Sequence, residues 1–157
     1  MNPEEHSEIK SWTESLTDSP DFVDFLTHHL SVGMWLALAH LMCPQFIEVH
    51  GCVLWERKYD RERFEEWRQL LHADVYAIEN ALNRVVVADL VPCEATPEND
   101  SALEDVATAM AASWDAALTR AFPSRTFDVD VLSSDDGPTI VFHQAVARRP
   151  GRSLASP

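Results

Sequence analysis

The chain has 157 residues, 46% of them hydrophobic, with 26 acidic side chains against 12 basic ones and a formal net charge of −14. That is enough apolar content and length for one core. A surface so acidic repels phosphate backbones and anionic headgroups, so direct nucleic-acid and membrane binding are disfavoured and a basic protein partner is expected. The start, MNPEEHSEIK, lacks the basic-then-apolar leader of a secretory signal. The longest uncharged stretch, residues 30–46, is interrupted by His40, Cys43 and Pro44 and is shorter than the ~20 residues of a membrane span. The reading is a soluble, cytoplasmic chain whose three cysteines, Cys43, Cys52 and Cys93, are free thiols.

Residues 1–11 read as a flexible acidic lead, 12–146 as a single α+β domain, and 147–157 as a disordered basic tail. The first helix is expected from SPDFVDF, with Ser19 as cap and Pro20 at the first helical position. Beyond Ser31 the pattern becomes apolar all round in VGMWLALAHLM. Such a helix is covered on every side, either as the centre of the fold or as half of a homodimer contact. The segment Phe46 to Trp55 reads as one strand. Asp60 then caps a helix from Arg61 to Asn83, marked by Phe64, Trp67, Leu71, Val75, Ile78 and Leu82 at steps of three and four.

Residues 85–91 fit strand or helix, and the spacing of Leu82, Val85, Val86 and Leu90 leans to helix. Ser101 and Glu104 have the spacing of a capping box for a helix running to Pro123. Its buried face is Leu103, Ala107, Met110, Trp114, Ala117, Leu118 and Phe122. Two strands close the domain, TFDVDVL and TIVFHQA, joined by a turn containing Asp136-Gly137. The expected fold is α+β: an antiparallel sheet of three or four strands, packed on one face by three to four helices. The order is helix, strand, helix, helix, hairpin, with the segment at residues 85–91 as a further short helix. Trp35, Trp55, Trp67 and Trp114 are all expected in the core.

Three sets of polar residues are candidates for chemistry. The first is acidic: Glu94, Glu98, Asp100, Glu104 and Asp105 in the loop and helix start, with Asp128, Asp130, Asp135 and Asp136 on the closing hairpin. Clustered carboxylates of this kind steer a positively charged surface into contact. This set leads the functional reading, a small acidic binding protein docking a basic partner in the manner of an inhibitor or immunity-type protein. Strand alternation supplies the second set, placing Glu48, His50, Asp128, Asp130 and His143 on one outward sheet face. Two imidazoles and three carboxylates there would suit a ligand or a metal-dependent reaction.

The third set, His40, Cys43, His50 and Cys52, has metal-binding residue types but no established zinc spacing. Asp24 with His28 at i, i+4 reads as an ordinary helix-surface pair, ahead of the alternative that Asp21, Asp24 and His28 line a metal site. With four glycines and no phosphate loop, dinucleotide fingerprint, HExxH or nucleophile elbow, the motif-bearing enzyme classes find no support. No cofactor and no tightly held metal is expected.

Overall fold

A two-residue turn decides how the strand-like run from Phe46 to Trp55 folds. His50 and Gly51 both take positive φ, 50° and 85°, the pair of left-handed conformations that a type I′ hairpin turn demands. The run is therefore not one strand but two, β1 (Phe46–Val49) and β2 (Cys52–Trp55), paired antiparallel with Val49 opposite Cys52. The computed structural model describes residues 1–145; the expectation for the basic tail lies outside the described residues. Within them the helices are α1 (Ser7–Glu14), α2 (Phe22–His29), α3 (Val32–Met42), α4 (Arg61–Leu70), α5 (Val75–Leu82) and α6 (Pro97–Ala121). The remaining strands are β3 (Arg84–Val86), β4 (Phe127–Leu132) and β5 (Thr139–Gln144), forming an antiparallel sheet in the order β3-β5-β4.

The α+β class stands, but the sheet is divided into a two-stranded and a three-stranded piece. Helices also cover more than one face. Leu103, Ala107, Met110, Trp114 and Leu118 of α6 meet Ile140 and Phe142 of β5 and Phe127 of β4 in the main core. On the reverse of β5, Val141 is buried while Tyr76 of α5 lies against His143, ring centroids 4.6 Å apart. β2 is buried on both sides: Val53 and Trp55 enter the main core, and Cys52 and Leu54 enter a second one with Phe64 and Ile78.

Several element boundaries differ from expectation for local reasons. The helix expected from Arg61 to Asn83 breaks where His72 and Ala73 adopt φ of 51° and 59°, and Asp74 restarts it as the cap of α5. Residues 84–86 pair with β5 as a strand, and 87–89 form one 3-10 turn, so the helical leaning there is corrected. α6 starts four residues before Ser101, because Thr96 accepts the Asn99 N–H at 3.1 Å and Pro97 occupies the first turn. α2 is capped by Asp21 rather than Ser19, through a reciprocal capping box with Asp24. That box occupies the two carboxylates weighed for a site beside His28.

The N-terminal residues, expected as a flexible lead, carry a 3-10 turn and most of α1. They dock on the start of α6: the Ser7 N–H and hydroxyl both donate to Glu98, and His6 Nε2 lies 3.1 Å from Asn99 Oδ1. Those two hydrogen bonds hold the Glu98 carboxyl below its ordinary value.

The two sheets are joined by side chains rather than by strand pairing. β3 covers β5 only as far as Val141, so Phe142 and Gln144 have backbone groups left over on that edge, as Val53 does on the free edge of β2. Glu79 of α5, fully buried, accepts the Val53 N–H at 2.6 Å and the Gln144 N–H at 2.7 Å. Four residues on, Asn83 donates through Nδ2 to the Val53 carbonyl at 2.9 Å and the Phe142 carbonyl at 3.2 Å. The Gln144 side chain completes the network, donating to Glu79 at 2.7 Å and to the Gly51 carbonyl at 2.8 Å. Buried backbone groups must find partners, and here one helical turn supplies them to two sheets at once.

Candidate functional site: an acidic cleft and an uncovered apolar helix

The loop before α6 and the tip of the β4–β5 hairpin are far apart in sequence. The fold sets them side by side. Val87, at the start of the 3-10 turn after β3, donates its N–H to the Pro138 carbonyl at 2.9 Å, next to Gly137, whose φ of 96° belongs to the turn at the hairpin tip. Ser134 secures that tip by donating to the Gly137 carbonyl at 2.8 Å. Between the two segments runs a cleft of about 520 Å³, walled by Glu94, Asp100 and Glu104 on one side and Asp135 and Asp136 on the other. Among the described residues, no lysine, arginine or histidine lines it. Five of the nine carboxylates named from sequence are thus gathered at one place.

The other four lie elsewhere. Glu98 turns to Ser7, and Asp105 takes the N-terminal ammonium of Met1. Asp128 and Asp130 are exposed on β4, as alternation requires, but they do not line the cleft.

The second set is not assembled on one sheet. Glu48 and His50 belong to the β1–β2 hairpin, whereas Asp128, Asp130 and His143 belong to the three-stranded sheet. Glu48 is held by Arg125 at 2.7 Å, and His50 lies 3.5 Å from Glu65 with its ring stacked near Phe64. His143 stands 3.9 Å from Asp128. The third set is also dispersed: His40 and Cys43 are exposed near α3, while Cys52 is buried in the second core. Burial, reinforced by Glu79 and opposed by Arg68, pushes the Cys52 thiol up to about 11, which leaves it protonated and unreactive at neutral pH. Among the described residues no three His, Cys, Asp or Glu side chains stand close enough to share a metal ion. The acidic cleft therefore spreads its charge over a surface instead of focusing it on a point.

α3 was expected to be covered on every side, and among the described residues it is not. Every residue from Val32 to His40 is exposed, including Val32 at 86%, Leu36 at 60% and Trp35 at 48%. Trp35 is thus removed from the predicted core, and Trp67 is only half-buried. Only the C-terminal end of α3 is anchored: Leu41 and Met42 pack on the main core, and Trp114 donates its indole N–H to the Leu41 carbonyl at 2.9 Å. Grooves of about 560 and 390 Å³ flank the helix, with Ala37 and Leu41 bordering both. No single helix among the described residues is long and apolar enough to cross a membrane, and α2 and α3 meet at a bend of 115°.

Comparison with models of known protein families, with curated proteins and with solved structures finds no match to this chain.

Proposed function

We propose that this chain is a small acidic binding protein whose cleft between α6 and the β4–β5 hairpin receives a basic segment of a protein partner, as an inhibitor or immunity-type protein would. The observation that supports the reading is the convergence of five carboxylates in one cleft, with no cation among the described residues that line it. Left alone these groups repel one another, and lysine or arginine side chains entering the cleft relieve that repulsion while gaining charge-assisted hydrogen bonds. A cleft of this breadth fits an extended segment with several cations better than one metal ion.

An arginine-rich peptide serves as the probe. It is expected to bind with an affinity that falls as salt rises, because the contacts are exposed and screened. The double charge reversal Asp100→Lys with Asp135→Lys is expected to weaken binding roughly 100-fold, while Asp115→Lys, exposed on α6 outside the cleft, changes it by less than about three-fold. Equal losses from Asp115→Lys would mean that net charge alone attracts the peptide, and would refute the cleft.

α3 adds an assembly to this reading: the protein works as a homodimer with α3 packed on its two-fold mate. Phe22, Val23, Val32, Met34, Trp35, Leu36 and Leu38 together present apolar surface on the order of 600 Å², against the ~800 Å² per partner of a standard interface. Residues 30–46 carry no Asp, Glu, Lys or Arg, so α3 itself sets no carboxylate against its two-fold mate, while Glu56 and Arg57 border one flanking groove. A basic partner, in contrast, would find no carboxylate on that helix. A single ridge with a groove on either side is self-complementary under a two-fold axis. Light scattering at micromolar concentration is expected to give the dimer mass, and Trp35→Glu, at an exposed position, a folded monomer. A monomer mass for the unmodified chain would exclude the assembly.

A further inference from the structure

Lysine and arginine are scarce in this chain, 12 against 26 acids, yet three of them line one hollow. Lys58, Arg63 and Arg84 surround a cavity of about 220 Å³ where the end of β2, the start of α4 and the α5–β3 junction meet. Leu54, Tyr59 and Phe64 give it an apolar floor. None of the three cations has a carboxylate within ion-pair distance among the described residues, although Arg68 and Arg125 elsewhere do.

Two of them, Lys58 and Arg84, are held by backbone carbonyls instead. Lys58 Nζ donates to the Arg84 carbonyl at 3.0 Å, and Arg84 Nε donates to the Asn80 carbonyl at 3.2 Å. Asp60 is the one acid in the lining, and its Oδ1 accepts the Arg63 N–H at 2.8 Å as the cap of α4. Desolvation, opposed by Asp89 and reinforced by Arg63, lowers the affinity of Lys58 for its proton. A negative ligand would reverse that pressure.

We propose that this cavity binds a small organic monoanion, a carboxylate carried on an aromatic or branched apolar body. Guanidinium forks match a carboxylate geometrically, and the Leu54, Tyr59 and Phe64 wall matches an apolar body. The size is below the ~300–1,000 Å³ of drug-sized sites, which limits the ligand to about the bulk of benzoate. A net charge of −14 penalises each further negative charge brought to the surface, so a single carboxylate is favoured over a dianionic phosphate. The site is separate from the acidic cleft, and its test does not depend on the basic partner.

The test is an NMR titration of the ¹⁵N-labelled full chain at fixed ionic strength with benzoate, benzyl alcohol and inorganic phosphate. Benzoate is expected to give saturable shifts centred on residues 58–64 and 82–84, with a dissociation constant of roughly millimolar or below. Benzyl alcohol, of the same shape without the charge, is expected to bind at least about ten-fold more weakly. Arg63→Met and Arg84→Met, both at exposed positions, should each weaken benzoate about five-fold or more, while Arg120→Met leaves it unchanged. Absence of saturable shifts, equal binding of benzyl alcohol, or phosphate shifting the same residues as strongly as benzoate would each overturn the proposal.

Discussion

Replacing Glu79 with alanine is expected to cost about 4 kcal/mol in a urea denaturation series, since each buried donor left unsatisfied costs roughly 1–3 kcal/mol. The carboxylate accepts three N–H groups: the backbone of Val53, the backbone of Gln144 and the side-chain amide of Gln144. None of them has another acceptor in the network except the Gln144 amide, which also reaches the Gly51 carbonyl. A loss of that size is a large part of the roughly 5–15 kcal/mol that holds a domain folded. Glu79→Gln keeps the shape and one acceptor oxygen but turns an NH₂ group toward N–H groups, so its cost is set at about 2–3 kcal/mol. A double-mutant cycle with Asn83→Ala is expected to show coupling of roughly 1–2 kcal/mol, because both side chains hold the same Val53 peptide edge. If Glu79→Ala costs less than about 1 kcal/mol, water replaces the carboxylate without penalty and the two sheets are joined by packing alone.

Glu79 also illustrates what the sequence hides. A glutamate and an asparagine four residues apart on a helix look like surface residues, and nothing local announces that two unpaired strand edges lie against them. The α6 face was legible because Leu103, Ala107, Met110, Trp114 and Leu118 repeat the helical period over four turns, and all of them are buried. The β4–β5 hairpin was legible from the strict alternation of TFDVDVL and a turn dipeptide that tolerates positive φ. By contrast, Phe46 to Trp55 is strand-like throughout, and His50-Gly51 is a weaker turn signal than Asn-Gly or Asp-Gly, so the reversal in its middle was missed. The break at His72-Ala73 was masked because Leu71, Val75 and Ile78 keep a helical spacing across it. α1 escaped notice because its mixed sequence SEIKSWTE has neither a side-chain cap nor a buried residue. The acidic residues were found as a class. Which five of them face one another depends on the docking of the hairpin tip against the turn after β3, where the Val87 N–H donates to the Pro138 carbonyl at 2.9 Å, and that contact is tertiary.

Trp114→Ala is expected to cost about 4–5 kcal/mol, the largest effect of any single truncation in the main core. The side chain is fully buried, with ring centroids 5.0 Å from Trp55, 6.0 Å from Phe142 and 6.2 Å from Phe46. Rings drawn from β1, β2 and β5 cannot all close over the hole, so much of its volume would remain. The indole N–H adds a second loss, since it is the donor that holds the Leu41 carbonyl at the end of α3. Trp114→Phe separates the two contributions: it keeps an aromatic ring and removes the N–H, for an expected cost of about 1–2 kcal/mol. Trp67→Ala, on a half-buried position of α4, is set lower, at roughly 1–2 kcal/mol, although helical spacing alone ranks the two tryptophans together. Equal losses for Trp67→Ala and Trp114→Ala in the same denaturation series would mean that the α4 stripe supports the fold as much as α6 does. If Trp114→Phe leaves stability unchanged yet raises the dissociation constant of the proposed dimer, the indole acts through α3. Its hydrogen bond would then be setting the angle at which α3 is presented to its mate in that proposed assembly.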